Sequence, residues 1–148
     1  MRKLVIFDLD GTLLYTLEDL TNSVNFTLDL FDYETCTIDE ISSYVGNGVK
    51  QLMRRALPSD ISEKDFELCY ACFMDHYSKH CCEKTVPYPG IVDVLKVLKS
   101  RGIKIGVMSN KFQSAAEDVC EHYFEGLYDM VVGESEYCRR KPAPDGIN

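Results

Sequence analysis

Three short apolar runs and two stretches with helical periodicity predict the core elements of the chain. The runs Val5–Phe7, Ile103–Met108 and Met130–Val132 lack polar alternation, which is typical of strands buried in a parallel sheet. Apolar residues recur at helical spacing in 92–98 and in 113–122. The order strand, helix, strand, helix, strand predicts an α/β fold with a Rossmann-like parallel sheet and right-handed crossovers.

The stretch between the first strand and residue 83 carries helical patterns only. They cover residues 17–31, 38–44, 49–57 and 62–82. Thr16 followed by Asp19 resembles a capping box at the start of the first helix. We therefore predict an all-helical cap, residues 15–83, inserted after strand 1 into an α/β core formed by residues 1–14 and 84–148.

Composition and charge limit the classes of partner. The 148 residues carry a net charge of −8, which argues against nucleic acid or an anionic membrane as the main partner. The basic start and apolar run from Met1 to Phe7 are broken too early by Asp8 and Asp10 for a signal peptide. No segment is long and apolar enough to predict a membrane span. The sequence indicates a cytoplasmic protein.

Seven cysteines, several of them clustered with histidines, raise the question of a metal site. One stripe of the predicted fourth helix and the residues after it hold Cys69, Cys72, His76, His80, Cys81 and Cys82. Histidines four residues apart can share a metal ion, but zinc sites usually draw on more than one element. Cysteine is also a common buried residue. We expect free thiols packed inward in a reducing compartment.

The polar residues that follow the three strands carry the chemistry. Asp8 and Asp10 are two residues apart, so both can face one site at the carboxyl end of the first strand, where such sheets bind ligands. Two adjacent acids call for a cation or a shared proton. Ser109-Asn110-Lys111 and Arg140-Lys141-Pro142 follow the other strands. A hydroxyl with backbone N–H groups suits an anionic oxygen, and a lysine suits a phosphoryl group.

These motifs carry a resemblance to a known family. Asp8-x-Asp10-Gly11-Thr12 resembles the first motif of the haloacid dehalogenase-like hydrolase superfamily, Ser109 the second, and Lys141 before Pro142 the third. The match keeps the family's order through the whole chain. Tyr44-Val45-Gly46-Asn47-Gly48 and Tyr88-Pro89-Gly90 are similar to the phosphoglycolate phosphatase branch.

The resemblance implies a magnesium-dependent phosphatase that hydrolyses a small phosphate monoester, such as 2-phosphoglycolate, through an aspartyl-phosphate intermediate. It makes Asp8 the nucleophile and Asp10 the acid/base, with both as Mg²⁺ ligands. The implied phosphate-binding residues are Thr12, Ser109, Asn110 and Lys141. The implied substrate loop of the cap consists of Gly46, Asn47 and Gly48.

Several alternatives stay open at this point. The presence of Asp10 argues against a dehalogenase, and Lys50 is not obviously placed for the Schiff base of a phosphonate hydrolase. A sugar phosphomutase shares all three motifs. The family's fourth motif, an acidic pair after a further strand, is missing, so we expect three core strands with the C-terminal strands absent. Such a chain could be an inactive fragment that self-associates through an open sheet edge.

Overall fold

The computed structural model describes residues 3–147 and divides into two compact units. Met1 and Arg2, which begin the stretch considered above as a signal peptide, lie outside the described residues, as does Asn148. The first unit runs to Tyr15 and resumes at Val86, and the second is Thr16–Thr85. The strands are β1 (Leu4–Phe7), β2 (Leu14–Tyr15), β3 (Val86–Pro87), β4 (Lys104–Phe112) and β5 (Met130–Glu134). The helices are α1 (Leu17–Leu30), α2 (Ile38–Tyr44), α3 (Val49–Ala56), α4 (Glu63–His80), α5 (Ile91–Ser100) and α6 (Gln113–Phe124), with a 3₁₀ turn at Pro144–Gly146.

A parallel sheet in the order β1-β4-β5 forms the first unit. Phe7 is paired with Val107, and Val107 with Val131, so the three strands are in register at their carboxyl ends. This confirms the predicted α/β class with three parallel strands. A short antiparallel pair, β2 with β3, was not predicted, because two residues per strand leave no periodicity to detect.

The expectation that β1 is fully buried is wrong. Leu4 is 56% exposed and Ile6 is 43% exposed, because β1 is an edge strand. Both crossovers lead in the same direction across the sheet, so right-handedness puts α5 and α6 on one face. Ile105 is buried on that face, whereas Ile6 and Met130 flank Gly106 on the other face. The apolar run of β1 is therefore buried on one side only.

The strand β4 continues beyond the predicted end at Met108. Its pairing with β5 shifts register between Met108 and Phe112, and α6 begins directly afterwards at Gln113. The triplet Ser109-Asn110-Lys111 consequently lies in this irregular end of the strand rather than in a separate loop. Such irregularities re-aim side chains next to functional sites.

The second unit is a four-helix domain, α1 to α4, around a buried apolar cluster. The cluster includes Leu28, Ile41, Met53, Phe66 and Phe73. The bounds of α2 match the prediction, and α1, α3 and α4 end within two residues of it. That this unit is a catalytic cap stays a prediction.

The predicted capping box at Thr16 is wrong. Thr16 makes no side-chain cap bond, and Asp19 is buried and accepts hydrogen bonds from Lys84 and Thr85 instead. A capping box forms at α2, between Thr37 and Glu40. The sequence spacing of a capping box is therefore present at α1, but the hydrogen bonds of the box do not form, because Asp19 bonds to Lys84 and Thr85.

Candidate active site

The two aspartates lie just beyond β1, in a tight turn. Asp8 follows the last strand residue, and Asp10 forms a single bridge with Leu14. The Leu9 carbonyl accepts the backbone N–H groups of residues 12–14 at 3.0–3.2 Å, which closes the turn. Gly11 has φ +81°, in the left-handed region that favours glycine. The glycine after the second acid therefore has a conformational cause, and Thr12 is exposed at the tip of the turn.

Lys141 reaches this turn from the segment after β5. Its Nζ donates to Asp8 Oδ1 at 2.7 Å and to the Met108 carbonyl at 3.0 Å. Its backbone N–H donates to Asn110 Oδ1 at 2.6 Å, and Asn110 Nδ2 donates back to the Lys141 carbonyl at 3.4 Å. The role of Asn110 in this structure is therefore to hold the lysine segment against the end of β4.

Ser109 and Lys111 both approach Asp10. The buried Ser109 hydroxyl donates to Asp10 Oδ2 at 3.4 Å and accepts the Lys111 backbone N–H at 3.1 Å. Lys111 Nζ lies 3.6 Å from Asp10 Oδ1, and its side chain is only 10% exposed. Sequence reasoning gave Lys111 no role, although it adjoins Ser109 in the motif. Lysines on both acids supply the compensating cations that adjacent carboxylates require.

An ion pair closes the segment that carries Lys141. Arg139 donates from Nε, from Nη2 and from its backbone N–H to the Asp145 carboxylate, at 2.8–3.0 Å. These hydrogen bonds lower the pKa of Asp145 to about 2. The Lys141–Pro142 peptide bond between them is cis. The lysine thus projects from a short loop that is fixed at both ends.

The irregular end of β4 is also braced from β5. Gln113 accepts the Gly133 backbone N–H at 2.6 Å and donates to the Val131 carbonyl at 3.0 Å. A Cβ on Gly133 would lie 2.6 Å from the Lys111 carbonyl oxygen and 2.7 Å from the Gln113 Cα. Only glycine permits so close an approach behind the Ser109-Asn110-Lys111 segment.

Cys120 of α6 is a buried thiol whose pKa is affected by the charge of Asp10. Burial, and to a smaller extent the negative charge of Asp10, raise the pKa of the Cys120 thiol to about 12. Thiolates rather than thiols are nucleophilic. Cys120 is therefore an inert packing residue at neutral pH.

The predicted substrate loop belongs to the second unit. Gly46 and Gly48 have φ values of +116° and +82° and flank Asn47 between α2 and α3. Arg55 holds this loop: its guanidinium donates to the Tyr44 carbonyl at 2.8 Å and to Asn47 Oδ1 at 3.0 Å. The sequence analysis missed Arg55, which carries no motif signal.

Arg55 differs from the other two basic residues of α3, because those two form ion pairs with acidic residues. Lys50 and Arg54 form ion pairs with Glu67 and Glu63, at 3.0 and 2.6 Å. Arg55 forms none with any residue that the structure describes and is exposed. A positive charge is thus left beside Asn47 in a protein that is acidic overall.

Among residues 3–147, no three His, Cys, Asp or Glu side chains come together in a way that could hold a metal ion. Within the same range, no helix combines the length and the apolar character needed to cross a membrane.

The parallel sheet, with two acids, a serine and a lysine converging at the strand ends, defines an α/β protein with a charged site at the carboxyl edge of its sheet. The family profile described as haloacid dehalogenase-like hydrolase matches residues 5–148, and the chain belongs to this family. The resemblance based on the three motifs is thereby confirmed.

Individual relatives are similar over nearly the whole chain. A phosphoglycolate phosphatase of Aquifex aeolicus is 32% identical over 98% of the chain, and phosphoglycolate phosphatase 1 of Pseudomonas aeruginosa is 34% identical over 98%. A crystal structure described as a predicted phosphoglycolate phosphatase from Haemophilus somnus superposes with a TM-score of 0.91 at 26% identity, covering 99% of this chain and 68% of that one. The chain spans 67% and 55% of the two curated relatives' lengths.

Proposed function

We propose that this chain is the major part of a phosphatase that hydrolyses a small phosphate monoester through a covalent intermediate on Asp8. The observation that carries the proposal is the 2.7 Å contact between Lys141 Nζ and Asp8 Oδ1. The second acid, Asp10, accepts a hydrogen bond from the buried Ser109 hydroxyl at 3.4 Å. A carboxylate that adjoins a lysine at a strand end, with a second acid two residues along and a hydroxyl bonded to that acid, suits attack on a phosphoryl group. The family and the names of the relatives support the same reaction.

In the first half of the proposed reaction, an oxygen of Asp8 attacks phosphorus and the bond from phosphorus to the ester oxygen breaks. Asp10 gives its proton to the departing alkoxide. The phosphoryl oxygens would lie against Ser109, Asn110, Thr12 and Lys141. The ammonium of Lys141 balances the charge that develops on them.

In the second half, Asp10 takes a proton from water, and the water oxygen attacks the phosphorus of the aspartyl phosphate. The bond to Asp8 breaks and inorganic phosphate leaves, so both acids return to their starting states. Lys111 Nζ, 3.6 Å from Asp10 Oδ1, stabilises the Asp10 carboxylate in the interval between the two proton transfers. Proton transfer of this kind contributes about 10²–10⁴ in rate.

We propose Mg²⁺ as the cofactor. The carboxylates of Asp8 and Asp10 and the Asp10 carbonyl are hard oxygen donors, and Mg²⁺ commonly takes one or two carboxylates and keeps several waters. The residues present therefore fit this ion. When bound, it would neutralise charge on the phosphate.

For the substrate we propose a small phosphorylated acid, with 2-phosphoglycolate as the first candidate. The support is the loop Gly46-Asn47-Gly48 together with the unpaired charge of Arg55 beside it, which suits a carboxylate. The relatives named phosphoglycolate phosphatase point the same way. The seven cysteines, all within residues 3–147, are in the reduced form, which supports a location in the reducing cytoplasm.

The decisive experiment is phosphate release from 2-phosphoglycolate and p-nitrophenyl phosphate with added Mg²⁺. We expect low turnover by the 148-residue chain, because only two acids converge in its described part. A version extended to the length of the relatives should be faster. Asp8→Asn should abolish the activity. The control variant Asp118→Asn, which alters an exposed aspartate of α6, should retain it.

The outcomes separate the parts of the proposal. Full turnover by the 148-residue chain would refute the claim of low activity. An inactive extended version would refute the phosphatase, and isomerised sugar phosphate instead of free phosphate would establish a mutase. Asp10→Asn should slow the release of a poor alkoxide leaving group more than the release of p-nitrophenolate, because a poor leaving group depends more on receiving the Asp10 proton.

We also propose that the 148-residue chain self-associates through the free edge of β1. Among residues 3–147, β1 pairs with β4 alone, and Leu4 and Ile6 on this edge strand are exposed. An exposed apolar edge strand of this kind supports the proposal. Light scattering after size exclusion should detect dimers or larger species, and Ile6→Lys should shift them to monomer. A monomeric wild-type chain at high concentration would contradict the proposal.

A further inference from the structure

Cys81 and Cys82 form a pair of converging thiols at the end of α4. Their sulfurs lie 3.7 Å apart, although the residues are adjacent in sequence. Neither cysteine forms a disulfide, and both side chains are partly exposed. No role in the proposed phosphatase reaction involves them.

The separation of the sulfurs matches a shared metal ligand better than a disulfide. At a tetrahedral zinc centre with bonds of about 2.3 Å to sulfur, neighbouring sulfurs lie about 3.8 Å apart. Disulfides usually join residues whose Cα atoms are roughly 4.4–6.8 Å apart, whereas neighbouring residues are held at about 3.8 Å. A bond between Cys81 and Cys82 would therefore be strained, but an ion between the two sulfurs would not.

The segment around the pair is fixed on both sides. Before it, Cys81 packs against the apolar cluster of the second unit, and its sulfur lies 4.0 Å from the Ser78 carbonyl. After it, the backbone N–H groups of Lys84 and Thr85 donate to the buried Asp19 carboxylate at 2.8–2.9 Å. A pair held in this way loses little conformational freedom on binding.

We propose that Cys81 and Cys82 form a two-thiolate site for a soft divalent cation of the zinc and cadmium class. Because no third His, Cys, Asp or Glu converges with them among residues 3–147, water or an external thiol completes the coordination. Each thiol gives up its proton on binding, so affinity falls as the pH is lowered. Soft thiolate ligands select such ions over Mg²⁺.

The test is a Cd²⁺ titration of the reduced 148-residue chain, followed by the ultraviolet charge-transfer absorption of thiolate bound to cadmium. We expect a band that saturates at one equivalent and is lost in Cys81→Ser and in Cys82→Ser. Cys36→Ser, a partly exposed cysteine elsewhere in the same unit, should retain it. Retention of the band in the two serine variants, or its loss in Cys36→Ser, would overturn the proposal.

A second measurement on the unaltered chain keeps the result independent of variant folding. A trivalent phenylarsenical bridges paired thiols, with release of water and formation of two As–S bonds. Trypsin should release residues 80–84 as one peptide that contains both cysteines. We expect the arsenical on this peptide at the first equivalent; its appearance on other cysteines instead would refute the pairing.

Discussion

Replacement of Asp19 should destabilise the second unit more than any other single carboxylate change in it. Asp19 is 2% exposed, and its carboxylate accepts four contacts of 2.8–2.9 Å from two residues. They come from the Lys84 N–H, the Thr85 N–H and the Thr85 hydroxyl. These bonds join the first turn of α1 to the last residues of the unit.

The expected magnitude follows from burial and charge. Hydrogen bonds to a charged group contribute about 1.5–3 kcal/mol each, but they are not additive. Asp19→Ala leaves the Lys84 N–H, the Thr85 N–H and the Thr85 hydroxyl without this acceptor, and each buried donor that stays unsatisfied costs about 1–3 kcal/mol. We therefore expect Asp19→Ala to lower the free energy of unfolding by about 3–5 kcal/mol in total. Asp19→Asn keeps one acceptor oxygen and should cost about 1–3 kcal/mol.

Urea unfolding followed by circular dichroism measures both variants against Asp29→Ala. Asp29 lies on the same helix and is exposed, so its removal should change the free energy of unfolding by less than about 0.5 kcal/mol. A loss at Asp19 no larger than that at Asp29 would refute the reasoning. It would mean that Lys84 and Thr85 find equivalent partners in water.

Three further predictions concern the first unit and the substrate loop. Lys141→Met should lower phosphate release by the extended protein about 10²–10³-fold. Its free energy of unfolding should fall by at most about 1 kcal/mol, because the ion pair with Asp8 is partly exposed. A loss of activity no larger than this loss of stability explains would contradict a role in the reaction. Arg55→Ala should raise the KM for 2-phosphoglycolate about tenfold or more and leave the KM for p-nitrophenyl phosphate unchanged. The control Arg54→Ala should change neither KM. The same KM for 2-phosphoglycolate in Arg55→Ala and in the unaltered protein would contradict a role of Arg55 in binding the substrate carboxylate. The lowered pKa of Asp145 stabilises the fold above its unfolded value of about 3.9, and this effect disappears as the pH falls through about 2. The protection factor of the Arg139 N–H, which is the exchange rate in an unfolded chain divided by the observed rate at the same pH, should therefore fall only below about pH 4. In Asp145→Asn the protection factor should not change in this range.

The fold was largely predictable, because its elements are periodic and local. Helix α2 has the predicted bounds, and the three parallel strands lie at their predicted places. The burial of β1 was misjudged, since an apolar run does not reveal which face of a sheet is covered. The end of β4 was misjudged because Ser109, Asn110 and Lys111 continue an extended backbone that polar composition conceals.

At the candidate site, the motifs identified the residues that now lie together, but not what holds them. The contact between Asp8 and Lys141 joins residues 133 positions apart. Chain order and sheet topology predicted that the two stretches reach the same edge of the sheet, but not that these two side chains pair. Lys111 and Arg55 were missed because their roles depend on side-chain direction alone. Asp19 was misassigned because its partners are 65 and 66 residues away, beyond the reach of any local pattern.

The absence of a side chain at Gly133 bears on how far this protein can be improved by laboratory evolution. A strand glycine can be exchanged for alanine with a gain in stability where the backbone conformation and the surrounding space accept the new side chain, since the unfolded chain becomes less free. Here an added methyl group would press on the Lys111 carbonyl and on Gln113. Selection for heat resistance and selection for turnover would therefore both keep glycine at this position, and stabilising substitutions should accumulate at other positions.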